Sequence, residues 1–445
     1  MLNEISKKID KLKVLLFGYR IKKCIIQINL DIGCRILYNV HNSLPETSNG
    51  YAIRSHTIAK AIKAEGIDIS VVTRVGFPID IEYIGENKDN KKVHIVNDIE
   101  YNRLQKKGLH LEECTLTSYI ENYTNMLINL AKKKKATIIH SASSYINGLA
   151  GVSTANILGL PSVYEVRGFW EITRASREPE FKDSLGYKLQ KKLEIQACKE
   201  ATSVIALSEV VKEELINRGI EDSKIYVIPN GVDTNLLKPI KKDENLINKL
   251  DFKDKFIVGF IGSVVDYEGL KLLVEAAENI EKIYTNKFLY LIVGDGNDLD
   301  NIKQLVKKLE VEKLFVFTGR VAYEEVEKYY SIIDIACYPR LDWEVCRIVS
   351  PKKPFEAMAY CKPIVSSSVR ANSYFIEHGI NGLIHEKENI ESIVENILKF
   401  YEDKELYEKI SRNAREWVVE NRDSKMTGKL LKEIYIKTQE KFYKI

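Results

Sequence analysis

Short apolar runs alternate with segments of helical period along almost the whole chain. This alternation constrains the fold more than any other feature. In the first half the runs lie at 34–40, 67–73, 137–140, 161–166, 203–207 and 225–228. Between them, 51–65, 116–131, 145–158, 185–199 and 209–218 read as helices; the first carries Ile53, Ile58, Ala59 and Ile62 on one face and stops at Gly66. Each strand–helix–strand unit requires parallel pairing and a right-handed crossover, so a parallel sheet covered by helices is predicted. Residues 238–255 are polar and read as a linker. A second series follows with strands at 256–262, 288–294, 314–317, 332–338, 363–367 and 382–385. Helices are expected at 270–280, 299–309, 323–331 and 390–399, with more to the C-terminus. Two α/β domains joined by one linker imply a cleft lined by strand C-termini, where such folds bind ligands. Residues 1–33 read as an extension in which Val14–Phe17 and Ile25-Ile26 are short strands or helix pieces.

Composition narrows the class. The 445 residues are 45% hydrophobic and 29% charged with a net charge of +4, as in a soluble globular protein with no nucleic-acid partner. Residues 1–237 carry 33 Lys+Arg against 28 Asp+Glu, a mild excess that suits an acidic acceptor or a membrane surface. The run Lys132–Lys135 reads as a solvated helix end, with an anionic membrane as the minority reading. Seven scattered cysteines without a Cys-x-x-Cys pair indicate reduced thiols in a cytoplasmic protein. The N-terminus lacks a signal-peptide core, and no run of about 18 apolar residues occurs, so any membrane contact is expected to be peripheral, at the inner face. No metal site is expected: histidines are not clustered, and Asp298-Leu299-Asp300 reads as helix N-capping.

The most informative stretch runs from Tyr338-Pro339-Arg340 to Ser350-Pro351-Lys352-Lys353-Pro354-Phe355-Glu356. It follows a strand, carries several cations and turns helical at Phe355, so it suits an anion at a helix start with Glu356 on a ribose hydroxyl. A plain capping loop, with Glu356 serving the macrodipole, explains it equally well. Gly50 closes the first strand–helix loop, where backbone could approach a phosphate or sugar; a turn explains it too. Arg54, one turn on, faces the cleft or the surface. His140 ends a strand as a ligand contact or a structural histidine. The loop 167–177 carries Arg167, Trp170, Arg174 and Arg177, whose side chains suit phosphate, carboxylate or a sugar face, or else interdomain salt bridges. Gly262-Ser263 and Gly294 follow strands, where open turns meet phosphates or a base edge.

Five motifs together resemble the retaining glycosyltransferases of family 4. They are Ser48–Ser55, Tyr164–Trp170, Val227–Asp233, Val293–Gly296 and Ser350–Ala359. The resemblance covers the chain from Cys34 onward and is strongest to the bacterial polysaccharide-biosynthesis branch. It implies a GT-B fold, α/β with two Rossmann-like domains facing across a cleft. The domains would be 1–237 for the acceptor and 238–415 for the nucleotide-sugar, with 416–445 returning to the first. It implies a nucleotide-sugar donor (UDP-sugar first, GDP-sugar second), a glycan or lipid-linked acceptor, no cofactor and no metal. Closure of the two domains would complete the site.

Residue by residue, the resemblance places Glu356 on the donor ribose and Ser350, Pro351 and Lys353 at the diphosphate. It places Arg320 at the base and Gly50 near diphosphate and acceptor. His140, Gly262, Ser263, Gly294 and Arg340 complete the expected donor side; Tyr51, Arg54, Trp170, Arg174 and Arg177 make up the acceptor side. The chain departs from the pattern twice. Ile348 stands where the first acid of E-x7-E belongs, and Ser263 and Glu268 replace the family's Arg and Lys. Lys353, Arg340 and Arg167 are expected to supply the missing positive charge, with Arg167, Lys353 and Glu356 as the catalytic set. The rival readings are a sugar-nucleotide epimerase and a non-catalytic partner or sugar-nucleotide binder of the same shape.

Overall fold

The computed structural model describes residues 2–22, 33–80, 91–106 and 108–444. The pair Ile25-Ile26 lies outside the described residues. The chain divides into two compact units, Met1–Pro229 with Ser424–Ile445, and Asn230–Asp423.

The first unit is built on an eight-stranded sheet. Its strands are β1 (Arg35–Val40), β2 (Asp68–Thr73), β3 (Val93–Val96), β4 (Ile99–Arg103), β5 (Ile138–Ala142), β6 (Ser162–Val166), β7 (Ser203–Ala206) and β8 (Ile225–Val227). The order is β3-β4-β2-β1-β5-β6-β7-β8. Only β3 and β4 pair antiparallel. Its helices are α1 (Leu2–Phe17), α2 (Gly50–Ala64), α3 (Leu116–Lys133), α4 (Tyr145–Leu158), α5 (Trp170–Ala175), α6 (Leu185–Glu200) and α7 (Glu209–Asn217). The extension thus contains a full helix, α1, and 167–177 is not a plain loop because α5 begins at Trp170. The β3–β4 hairpin escaped the sequence reading. β3 alternates between exposed and half-buried positions, and its turn residues Asn97 and Asp98 take positive φ as a two-residue hairpin requires.

The second unit has a six-stranded, all-parallel sheet in the order β11-β10-β9-β12-β13-β14. Its strands are β9 (Phe256–Ile261), β10 (Phe288–Val293), β11 (Phe315–Gly319), β12 (Ile335–Tyr338), β13 (Ile364–Ser367) and β14 (Leu383–His385). The helices are α8 (Glu244–Leu250), α9 (Leu270–Ile283), α10 (Leu299–Lys308), α11 (Val326–Ile332), α12 (Glu344–Ile348), α13 (Lys353–Ala359), α14 (Arg370–Ser373), α15 (Ile390–Glu402) and α16 (Lys404–Arg422). The linker is not all loop. Asp243 accepts from the Leu246 amide to cap α8, which buries Ile247. Asp298 stands at the start of α10, but its carboxylate takes the Asn301 amide instead of a backbone N–H. A continuous core of aliphatic and aromatic side chains from Phe260, Leu273, Tyr290, Ile335, Phe355 and Ile397 fills the space between sheet and helices.

The last helix, α17 (Ser424–Tyr443), returns to the first unit, and Leu431, Ile434 and Tyr435 enter its core. Gly428 permits this docking: a Cβ there would stand 2.6 Å from the Ala61 carbonyl oxygen of α2.

Candidate active site

In the second sheet the strand order reverses between β9 and β12, so their C-terminal ends diverge and leave a crevice at the switch point. Gly262 follows β9, and Pro339-Arg340 follow β12. The turn before α9 places Glu268 beneath this crevice, 4% exposed. Its carboxylate lies 2.9 Å from Lys353 Nζ and 3.7 Å from Arg340 Nε. Gly262 makes room for the lysine stem: with φ +149, a Cβ there would stand 2.3 Å from Lys353 Cδ. The ammonium also lies 4.5 Å from the Phe260 ring centroid. Arg340 does not point freely outward, as expected of a diphosphate ligand. Its Nη1 donates to the Val349 carbonyl at 2.9 Å and so holds the loop leading to α13. Asn230 donates to the Ser350 carbonyl from the other side at 3.1 Å.

This cluster is incompletely satisfied. Glu268 Oε2 and Arg340 Nε have no hydrogen-bond partner among the described residues. Burial alone would raise the Glu268 carboxyl, but Lys353 and Arg340 outweigh it and hold the pKa below its ordinary value. Burial also lowers Lys353, against the pull of Glu268. The lysine side chain is 17% exposed, so solvent relieves part of that cost.

Glu356 lies in the first turn of α13 and pairs with Lys352 at 3.1 Å. The helix is only seven residues long, so local positive charge comes from Lys352 and Lys353 more than from an aligned dipole. Pro351 is buried; Ser263 and Arg320 are exposed. The Gly294 amide bonds the Gly319 carbonyl at 3.0 Å, joining the ends of β10 and β11.

The first unit holds a second buried carboxylate between two cations. Glu165 in β6 accepts from Arg54 Nε at 2.8 Å, from Arg167 at 2.8 and 3.0 Å and from the Tyr38 hydroxyl at 3.0 Å. This overturns the expected role of Arg167. Beyond Glu165, its guanidinium donates to the Tyr51 carbonyl, the Ser55 hydroxyl and the Tyr38 oxygen, which uses all five N–H groups. None remains for a diphosphate. Arg54 is likewise neither at the surface nor on an acceptor: it is 6% exposed and donates to the Ile228 and Pro229 carbonyls. Burial would raise Glu165, and the positive charges of Arg167 and Arg54 drive it far below the carboxylate range instead.

His140 resolves to its structural reading. It is fully buried, and its Nδ1 lies 2.8 Å from the Tyr435 hydroxyl of α17. Burial pushes its pKa down to about 4. The ring is neutral at pH 7, so its 3.9 Å approach to Glu165 is not an ion pair there.

Tyr51 spends its hydroxyl inside the protein, accepting from the His41 amide and donating to the Ser143 carbonyl at 2.6 Å. Gly50 is exposed at the start of α2, with open space where a Cβ would stand. Trp170 is 38% exposed. Arg174 and Arg177 are exposed, and Arg174 pairs with Glu178 at 2.8 Å.

The sequence reading missed His41. It follows β1 directly, just as His140 ends its own expected run, and that position was the available signal. Its ring packs edge-on against Trp170, 4.8 Å between centroids, and accepts from Arg74 Nε at 3.2 Å. Burial and the Arg74 charge push it down to about 3, so the ring is neutral. Its Nδ1 has no partner among the described residues.

Among the described residues no group of three or more His, Cys, Asp and Glu could hold a metal ion. No helix there is long and apolar enough to cross a membrane.

Comparison with known proteins agrees with this architecture. The family described as Glycosyltransferase Family 4 matches residues 48–236, and that described as Glycosyl transferases group 1 matches 242–417. An uncharacterized glycosyltransferase of Methanocaldococcus jannaschii is 27% identical over 58% of this chain and 64% of its own length. The Escherichia coli UDP-Gal:alpha-D-GlcNAc-diphosphoundecaprenol alpha-1,3-galactosyltransferase is 28% identical over 73% of this chain and 81% of its own. The crystal structure of Anabaena Alr3699/HepE in complex with UDP and glucose superposes with a TM-score of 0.71 at 18% identity, covering 91% of this chain and 100% of that one. The likeness to that structure establishes the GT-B fold, and the two family matches together span both units. The chain belongs to the group 1, family 4 glycosyltransferases.

Proposed function

We propose that this chain transfers a hexosyl or N-acetylhexosaminyl group from a UDP-sugar to a lipid-linked acceptor of surface-polysaccharide synthesis, with retention of anomeric configuration and without a metal. The observation that carries this reading is the Glu268–Lys353–Arg340 cluster at the switch point of the second sheet. It presents a partly exposed ammonium, with net positive charge around it, and this supports a donor diphosphate bound there. Lys353 stabilises the leaving diphosphate as its charge develops, and Glu356 takes the ribose hydroxyls. Gly262 and Gly294 keep the strand ends open to the donor, and the exposed Arg320 is assigned to the base. Arg340 acts on the loop through Val349, and Ser350 and Pro351 shape it. The leaving phosphate itself takes the acceptor proton, and no protein base is assigned. On the acceptor side we place Gly50, the neutral His41, whose Nδ1–H has no partner among the described residues, Trp170, Arg174 and Arg177. Two likenesses support the UDP donor and the lipid-linked acceptor: the name of the Escherichia coli relative, and the UDP and glucose held by the Anabaena protein.

Thermal unfolding with UDP, GDP, ADP and CMP, each with and without EDTA, tests the donor. UDP at a hundred times its dissociation constant should add about 2.7 kcal/mol, unchanged by EDTA. A shift with GDP alone reassigns the base, and a shift abolished by EDTA overturns the metal-free reading.

A further inference from the structure

Helix α1 is amphipathic in the wrong sense for a helix docked on a protein core. Its inward face is mostly polar. Asp10 accepts from the Thr117 amide at 3.1 Å, Lys7 donates to the Glu112 carbonyl, and Lys192 of α6 donates to the Leu15 carbonyl at 2.7 Å. Val14 is the one fully buried apolar side chain among its described residues. The outward face carries Ile5, Ile9, Leu12 and Leu16, 48%, 47%, 45% and 69% exposed, and Phe17 beyond them is 85% exposed. These four recur at spacings of four, three and four, which places them in one stripe within about 60° of each other at 100° per residue. Lys8 and Lys13 flank that stripe on opposite sides, Lys11 lies further round, and all three are exposed. The helix is too short and too charged to cross a bilayer. It also lies outside both family-matched segments, the first of which begins at residue 48.

We infer that α1 is a membrane-docking element that lays its Ile5–Ile9–Leu12–Leu16 stripe into the surface of an anionic lipid bilayer. Lipid is favoured over a protein partner by the charge arrangement. Lysines on both borders of an apolar stripe match acidic headgroups lying above acyl chains. The inference deepens the proposed use of a lipid-linked acceptor, since it would hold the first unit at the surface where such an acceptor lies. Its test needs neither donor nor acceptor, so its failure is distinct from failure of the transferase reading.

The test is sedimentation of the full chain with vesicles of phosphatidylcholine alone and of equimolar phosphatidylcholine and phosphatidylglycerol. Wild type should bind the anionic vesicles, and more weakly as salt is raised. Ile9→Asp with Leu12→Asp should lower the partition coefficient roughly tenfold or more. Lys8→Gln, Lys11→Gln and Lys13→Gln together should remove the preference for anionic lipid. Both variants alter exposed side chains, and their unfolding midpoints and nucleotide-induced shifts should match wild type. Absence of wild-type binding, equal binding to neutral vesicles, or unchanged binding of the Asp variant overturns the proposal. So does light scattering that finds a lipid-free dimer which the Asp variant reduces to a monomer, because the stripe would then be a protein interface.

Discussion

Each unit buries one carboxylate between two cations, and the two clusters are finished differently. Around Glu165 the network of the acid and its arginines is closed: the acid receives two arginines and a tyrosine, and Arg167 has no N–H left over, while the Nε2 of the neighbouring His140 lacks a partner among the described residues. Around Glu268 it is open: one carboxylate oxygen and one guanidinium N–H lack partners among the described residues, and the lysine reaches solvent. A closed network ties elements together, here β6 to α2 and the segment after β8. An open one leaves polar groups free of such ties, which is why the donor site is proposed there. The contrast supports a structural role for the first cluster and the proposed donor-binding role for the second, where sequence shows only similar residue types.

The closed cluster should be the costlier to break. Glu165→Gln leaves Arg54 and Arg167 buried without a counter-charge, and removing one partner of such a group costs about 3–5 kcal/mol. Urea unfolding should show a loss of that size. A loss under 1 kcal/mol would mean that water already reaches these arginines.

The next effect is a pH dependence in the same network. His140 has a folded pKa of about 4 against an ordinary 6.5. Between those values the unfolded chain binds a proton that the folded chain refuses, so stability is complete above about pH 6.5 and falls as pH drops toward 4. The difference corresponds to about 3 kcal/mol. Other groups titrate in the same range, so the relevant quantity is wild type minus His140→Gln. Its pH slope should be positive across that window. A flat difference would show that Glu165 keeps the imidazolium as comfortable inside the fold as outside it.

Breaking the open cluster should cost activity more than stability. Lys353→Gln should lower kcat/KM for the donor about a hundredfold, equivalent to about 2.7 kcal/mol of transition-state stabilisation, while the unfolding free energy moves by less. Unchanged kcat/KM would remove Lys353 from the machinery.

The βαβ rhythm was legible because parallel strands covered on both faces read as continuous apolar runs, as in Phe288–Val293. The β3–β4 hairpin was not, because β3 is short and half exposed. The polar networks were harder still. Glu165 sits inside the run Tyr164-Glu165-Val166, and nothing local tells that Arg54, 111 residues earlier, will meet it. Glu268 was legible as a departure from the family's lysine, but not as the partner of Lys353, because that pairing depends on β9 and β12 lying side by side. Arg167 misled for the same reason: an arginine at a strand end looks available until tertiary contacts have used its donors.

The smallest expected effect discriminates best between the two kinds of cluster. Glu268→Gln removes a negative charge 2.9 Å from Lys353 while keeping the shape of the side chain. The lysine, no longer half-neutralised, should then attract a diphosphate more strongly. At the effective dielectric of a partly exposed site, and with the amide still able to hold the ammonium, the gain is on the order of 1 kcal/mol, about fivefold tighter UDP binding by calorimetry. Stability should change little, because the two cations left behind are partly solvated or bound to Val349. The same change in the closed cluster is predicted to unfold a sizeable fraction of the protein's stability. Should Glu268→Gln instead weaken UDP binding, the carboxylate would be a positioning residue that aims Lys353 at the phosphates, and combining it with Lys353→Gln should add no further loss.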